Sequence, residues 1–326
     1  MFGNFGVQNL GDELILQGFL ELQKQRGNEV VVFCGGDRSA PGRDFGVRYF
    51  KFFPGGIRSA FRWLGSSAYR KSLREGRELL RSCGRIYVGG GGILVDRQLK
   101  AVALWLAQLR VIRGTGVPYE FIANSMELRR SWSGKLFLPY LKAAERVGVR
   151  DLASREFLKG RGISAELEDD LAYQVRLPRG PLASRRKKIV LALCQWGLGP
   201  PQRQVLKRFV QRRRQQGYDV VGLVFQSSGD DDRRVYEGFG IPVITGFDDV
   251  MDQLASSRLL LGMRFHSLVL AERLQVSSLA LAYQDKVEHF MRDRGLDQRL
   301  FNLSDLHQEQ LEKVFQKVID EEREGL

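Results

Sequence analysis

Residues 263 to 273, MRFHSLVLAER, set Arg264 and His266 two apart ahead of an aliphatic run. The chain holds only three histidines in 326 residues, so one beside an arginine draws the eye to this stretch. RLLLGM (258–263) reads as a buried strand and SLVLAERL as a helix, which puts Arg264, Phe265 and His266 on the turn between them. The next apolar run, SSLALAY (277–283), leads into YQDKVEHF and sets Asp285 and Lys286 on the neighbouring turn. A guanidinium forks onto carboxylate or phosphate, an imidazole titrates near neutral pH and an ammonium adds a compact charge. At one rim, the three suit a small, doubly charged anion.

Three more segments carry polar residues where strands or helices change over. In NLGDELILQGFLELQK (9–24), Asn9, Gly11, Asp12 and Glu13 open a helix with apolar spacing; ordinary helix capping is the competing reading. In YVGGGGILVD (87–96), four glycines follow a strand, with Asp96 beyond them. Gly90, Gly91 and Gly92 would let backbone approach a ligand closely, and N–H groups there suit an anion or sugar hydroxyls; a tight strand-to-helix turn is the alternative. Neither GxGxxG with its downstream acid nor GxxxxGK[ST] occurs. In VGVRDLASREFL (147–158), Arg150 and Asp151 end a strand, and a structural Arg–Asp pair competes with a ligand role. Asp170, in DDLA, either caps a turn or faces a cleft.

The elements that must hold these groups are β-branched and aliphatic runs alternating with amphipathic stretches: 29–36, 85–95, 117–125 and 146–151, then 189–196, 218–226, 242–246, 258–263 and 277–283. That alternation is the pattern of βαβ units around parallel sheets. The length exceeds a single core, and the proline- and charge-rich residues 178–188 read as a linker between domains 1–177 and 189–326. The expected fold is α/β, with two Rossmann-like doubly wound domains facing a central cleft. Ligands in such sheets bind beyond the carboxyl ends of strands, where the candidates lie.

Lys and Arg outnumber Asp and Glu by 51 to 38, a net charge of +13, which points to an anionic partner. Cys34, Cys83 and Cys194 show no paired spacing, as expected of reduced cytoplasmic thiols. No apolar stretch reaches the roughly 18 residues of a spanning helix, and the N-terminus lacks a signal-peptide pattern. The glycine-rich start, MFGNFGVQNLGDE, has no strand ahead of it. His289 and His307 lie on charged helical stretches and read as surface residues.

In order along the chain, NLGDE, GGGGILVD, VRDLAS, DDLA, MRFHSLVLA and YQDKV resemble the N-x-GDE, GGG-x-L-x-D, RD-x-x-S, D-x-A, MR-x-H and Y-x-x-KV segments of the polysaccharide pyruvyl transferase family, in particular its CsaB-like cell-wall members. The glycine and RD segments are weak alone; MR-x-H followed by KV is specific, and the collinear set more so. The resemblance implies a GT-B-like fold, phosphoenolpyruvate as donor and a sugar residue of a glycan, which can be lipid-linked, as acceptor. The product would be a cyclic pyruvate ketal, with phosphate released.

By the same resemblance, Arg150, Arg264, His266 and Lys286 would hold the donor's carboxylate and phosphate. Asn9 and Gly11, with Gly90, Gly91, Gly92 and Asp96, would lie on the acceptor side. His266, ordinarily titrating at about 6.5, would protonate the methylene carbon or the leaving phosphate, and Asp12 or Glu13 would take the hydroxyl's proton. The scheme calls for no metal and no cofactor, phosphoenolpyruvate being a co-substrate. Cys194 stands where the family often has an arginine and SMELRR (125–130) where it often has a Gly-Pro turn, departures that bear on the acceptor and leave the donor cluster intact.

Residues 58–85 mix arginines with Phe61, Trp63 and Tyr69, which suits peripheral docking on an anionic membrane, on the cytoplasmic face of the inner membrane. A solvated basic helix is the competing reading. Two other functions fit parts of the chain: a GT-B glycosyltransferase using a nucleotide sugar, and a non-catalytic nucleic-acid or membrane binder built on RRKK (185–188) and KRFVQRRRQQ (207–216). Without aromatic stacking motifs or a helix-turn-helix pattern, nucleic acid is not an expected partner.

Overall fold

The computed structural model describes residues 1–34, 48–51, 65–96, 99–128, 130–177 and 187–324. Residues 178–186 of the expected linker and 58–64 of the basic segment lie outside them. The described residues divide into two compact units. One contains Met1–Val7 and the chain from Asp12 to Val175; the other contains Gln8–Gly11 and the chain from Arg176 onward.

In the first unit, β1 (Val31–Cys34) pairs with β2 (Arg48–Lys51), and β3 (Ile86–Val95), β4 (Tyr119–Glu127), β5 (Arg146–Val149) and β6 (Glu166–Leu167) pair in that order, every ladder parallel. Phe2 forms a parallel bridge to Phe33 on one side and to Val88 on the other, so Met1 and Phe2 fill the rung between β1 and β3. Phe2 N–H donates to the Tyr87 carbonyl at 2.8 Å, and its ring stacks on Phe33 at 4.6 Å between centroids. These two residues stand where the sequence showed no leading strand. Helix α1 (Leu10–Gln25), from Asp12 on, with α2 (Ser67–Arg81), α3 (Leu99–Arg113), α4 (Ser131–Ala143) and α5 (Leu152–Lys159), completes the unit. The apolar spacing of α1 buries Leu14, Ile15, Leu16 and Phe19.

The glycine run does not turn from strand to helix. All four glycines lie inside β3, which continues to Val95, and the β3–β4 ladder shifts register between Gly91 and Leu94. Gly89, Gly90 and Gly91 take φ of 141°, 78° and 92°, and Ala123 on β4 takes 45°. Positive φ is open to glycine and costly for other residues, so the run permits a bulge where a longer side chain would strain.

The second unit holds one six-stranded parallel sheet in the order β12-β11-β10-β7-β8-β9, from β7 (Lys188–Ala192), β8 (Asp219–Leu223), β9 (Val243–Ile244), β10 (Leu259–Gly262), β11 (Ser277–Ala282) and β12 (Leu300–Asn302). β7 and β10 lie at the centre with every residue buried, which explains their near-continuous apolar sequences. The strand order reverses between them. Helices α6 (Pro200–Gln215), α7 (Phe247–Ala255), α8 (Phe265–Arg273), α9 (Asp285–Arg292) and α10 (Gln308–Glu324) connect the strands or close the chain. Within the basic run of α6, Arg213 is 1% exposed, pairs with Glu312 and lies over Phe209 and Phe315 at 5.1 and 4.2 Å.

Gln8–Gly11 joins this second unit through the extension of β8. Asn9 bridges Gln226 in antiparallel sense, Leu10 N–H donates to Phe225 O at 2.7 Å, and Ser227 N–H donates to Gln8 O at 3.0 Å. Both units are α/β with parallel sheets, Rossmann-like in architecture. Among the described residues, no helix is long and apolar enough to cross a membrane.

Candidate active site

A reversal of strand order leaves a crevice at the carboxyl ends of the two strands concerned, because their connections leave toward opposite faces. Here those strands are β7 and β10, and Cys194 and Arg264 stand just beyond their carboxyl ends. The Met263 and Arg264 N–H groups both point to the Ala192 carbonyl, at 2.9 and 3.3 Å, pinning the end of β10 to the end of β7. α8 then begins at Phe265. Ser267 through Ala271 are all buried, so packing fixes this helix and presents its first turn. The backbone N–H groups of that turn and the positive end of the helix dipole therefore accompany Arg264 and His266.

Arg264 is held by Asp232. Its Nε–H donates to Asp232 Oδ2 at 3.0 Å and its Nη2–H to Oδ1, a two-point fork. The Asp232 side chain is 0% exposed and that of Arg264 16%. Burial opposes the Arg264 charge, but the hydrogen bonds and charge of Asp232 outweigh it and hold the guanidinium above its ordinary range. Cys194 and Tyr283, at the ends of β7 and β11, lie close enough to act on this charge. Burial pushes both the Cys194 thiol and the Tyr283 hydroxyl up, so each is neutral at pH 7 and Cys194 is a poor nucleophile.

His266 and Lys286 both approach Phe265. The His266 ring meets it edge to face at 5.2 Å between centroids, and Lys286 Nζ lies 5.9 Å from its centroid. Phe290 packs on the same ring at 5.4 Å. His266 and Lys286 are half-buried. Gly11 abuts the imidazole so closely that a Cβ there would overlap Nδ1 of His266. Asn9 Oδ1 accepts the Gly11 N–H at 2.9 Å, the local capping geometry. The second unit thus gathers Arg264, His266 and Lys286 with Asn9 and Gly11, two residues expected to serve the acceptor.

The remaining candidates belong to the first unit. Asp12 Oδ1 would stand 3.7 Å from a Cβ placed on Gly91, so Asp12 and the glycine run are neighbours. Gly90 gives Ile15 room, since a Cβ there would overlap the Ile15 side chain, and Gly92 is exposed. Glu13 is 8% exposed and accepts the Gly6 N–H at 2.7 Å; burial pushes its carboxyl up, partly offset by that bond. Asp96 is 2% exposed, and its Oδ2 accepts from the Arg130 N–H and the Ser133 hydroxyl, both at 2.6 Å, at the start of α4. A carboxylate so placed holds the start of α4.

Arg150 is built into a first-unit network, pairing with Asp170 and donating through Nε to Ser125 Oγ at 2.7 Å. Ser125 donates onward to Asp151 at 2.6 Å, and Asp170 accepts the Ala172 N–H at 2.8 Å. The arginine's partner is Asp170 and not its chain neighbour Asp151, which Ser125 links into the same network, and both side chains of the Arg150–Asp170 pair are 4% exposed. Asp232 was not among the sequence candidates. His289 and His307 are exposed, as their charged surroundings suggested. Among the described residues, no group of three or more His, Cys, Asp or Glu gathers as metal ligands would.

Two Rossmann-like units with a basic, partly buried cluster at a strand-order reversal define the GT-B-like class, and solved structures agree. A protein described as a UDP-N-acetylglucosamine 2-epimerase from Listeria monocytogenes matches 98% of this chain and 87% of its own at TM-score 0.63 and 13% identity. UDP-GlcNAc 2-epimerase from Neisseria meningitidis, bound to UDP-GlcNAc, matches 98% and 90% at 0.60 and 10%. A UGT transferase from Siraitia grosvenorii, in complex with UDP, matches 99% and 91% at 0.53 and 10%. At such identities the likeness is one of fold. No curated protein matches the sequence. The model of the polysaccharide pyruvyl transferase family matches residues 9–285, and the chain belongs to that family of transferases.

Proposed function

We propose that the protein transfers the pyruvyl group of phosphoenolpyruvate to a sugar residue of a cell-wall or surface polysaccharide, forming a cyclic ketal. The observation that carries this reading is the placing of Arg264, His266 and Lys286 around the start of α8, at the reversal of strand order, within a chain of this family. Phosphoenolpyruvate concentrates a carboxylate and a phosphate on three carbons. An arginine edge, a helix N-terminus and a lysine can hold both groups.

In the reaction the methylene carbon takes a proton and becomes a methyl group. One sugar hydroxyl adds to the central carbon and loses its proton, the bond to the phosphate oxygen breaks, and a second hydroxyl closes the ketal. Two hydroxyl protons are lost; one balances the methyl group and the other leaves with phosphate. His266 is proposed to supply the methylene proton, and Asp12 to accept one from a hydroxyl. Glu13 is tied to Gly6, and Arg150 to Asp170, so both are read as framework.

The acceptor is proposed to be lipid-linked and to be met at the cytoplasmic face of a membrane. Within the described part of the basic segment, α2 exposes Lys71, Arg74, Arg77 and Arg81 together with Glu75 and Glu78, a mixed face that docks only weakly on anionic lipid.

The test is to incubate the protein with phosphoenolpyruvate and lipid-linked or synthetic N-acetylmannosaminyl acceptors. Phosphate release with the mass gain of a pyruvate ketal supports the reading. Nucleoside diphosphate released from a nucleotide sugar, with phosphoenolpyruvate untouched, would make the protein a glycosyltransferase instead.

A further inference from the structure

Asp232 lies in the run GDDDRR (229–234), whose charge would ordinarily place it in solvent, yet it is 0% exposed. Its Oδ2 accepts the Gln226 N–H at 2.9 Å, the Phe225 N–H at 3.2 Å and the Arg264 Nε–H at 3.0 Å, and its Oδ1 accepts Arg264 Nη2–H. All these neighbours donate, which is what an ionised carboxylate requires. Phe225 and Gln226 are also the residues on which Asn9 and Leu10 pair, and Gly11 of that same segment abuts His266. A single buried carboxylate therefore ties the Arg264 guanidinium to the backbone that carries the neighbour of His266.

We propose that Asp232 is a positioning residue for the transfer reaction: by taking the Nε/Nη2 edge of Arg264, it fixes the guanidinium so that its remaining N–H groups form the edge offered to the donor's carboxylate or phosphate. The proposal rests on the reading that Arg264 holds phosphoenolpyruvate. A guanidinium has two edges that can fork, and occupying one with a rigid partner fixes the direction of the other. Asp232 also balances the Arg264 charge, so Arg264 recognises the donor by aimed hydrogen bonds more than by net attraction. Directed contacts favour the reacting geometry, whereas an unaimed charge strengthens ground and transition state alike.

This separates a positioning role from a structural one. Asp232→Asn keeps the shape of the side chain and releases the Arg264 charge. The expected result is a kcat lower by about tenfold or more, a KM for phosphoenolpyruvate unchanged or lowered, and a steeper weakening of donor binding with added salt, since an unbalanced charge is screened more. Arg264→Lys keeps the cation but cannot fork, and should lower kcat further, roughly a hundredfold, so it serves if Asp232→Asn does not fold. Asp232→Asn with wild-type kcat, or with a raised KM and unchanged kcat, overturns the role of Asp232. So does Arg264→Lys at wild-type kcat. Wild-type protein that consumes no phosphoenolpyruvate overturns the underlying reading as well, and is recognised as such before any variant is made.

Discussion

Each unit contains a buried arginine–aspartate pair at the carboxyl end of a parallel strand, Arg150 with Asp170 and Arg264 with Asp232. In the first, both side chains are 4% exposed and the guanidinium is shared between Asp170 and Ser125. In the second, the aspartate is sealed at 0% while the arginine keeps 16% exposure and gives only one edge to its partner. The first pair ties the end of β5 to the turn that follows β6, with Ser125 of β4 on the same guanidinium; the second anchors a group that still reaches outward. A buried ion pair is thus not by itself a sign of function. The difference between the two is whether the cation retains an accessible edge.

The largest effect expected from this contrast is on stability. Arg150→Ala leaves Asp170 buried without its cation and should cost about 3–5 kcal/mol, read by chemical denaturation. Arg264→Ala should cost less, because Asp232 keeps two backbone N–H donors. Next comes activity: Arg264→Lys should lower turnover roughly a hundredfold, about 2.7 kcal/mol, with little change in the denaturation midpoint, while Arg150→Lys should do the reverse. If both lysine variants lost activity and stability in parallel, the distinction between clamp and presented group would fall.

Gly11→Ala tests the neighbour of His266. The new Cβ must push the imidazole aside, and a displacement of this kind should lower turnover roughly tenfold with a small loss of stability, compared by steady-state kinetics and thermal unfolding. The smallest effect concerns Glu13, whose carboxyl is pushed up by burial. The folded protein then binds this proton more tightly than the unfolded chain does. Stability contributed at low pH is therefore lost as pH rises from the ordinary glutamate value, about 4.3, through the raised value in the folded state. Glu13→Gln should flatten that decline in a series of denaturation curves across the window.

The central strands were legible because buried parallel strands are written as apolar runs bounded by glycine, proline or charge; β3, β10 and β11 fall within the runs expected, while β4 runs two residues past its run and β7 starts one residue before its own. β6 is two residues long and β12 three, too short to leave a periodic pattern. The turn carrying Arg264 and His266 was legible for the same reason, being the polar interruption between two apolar runs. Asp232 was hidden in a run of three aspartates, where only tertiary packing selects the one that is buried. The membership of Gln8–Gly11 in the second unit was equally hidden, because its partner Ser227 is 219 residues away. The partners of Asp96 and Arg150 were hidden too, because a carboxylate or guanidinium at a strand end looks the same in sequence whether it caps a helix, closes a clamp or meets a ligand.

The most direct test of the account is calorimetric titration of phosphoenolpyruvate into the wild-type protein and into Arg264→Ala, with a nucleotide sugar titrated in parallel. The account predicts one binding event per chain for phosphoenolpyruvate, abolished by the substitution, and no heat from the nucleotide sugar. Binding of the nucleotide sugar alone, or phosphoenolpyruvate binding that is indifferent to the loss of Arg264, would contradict it.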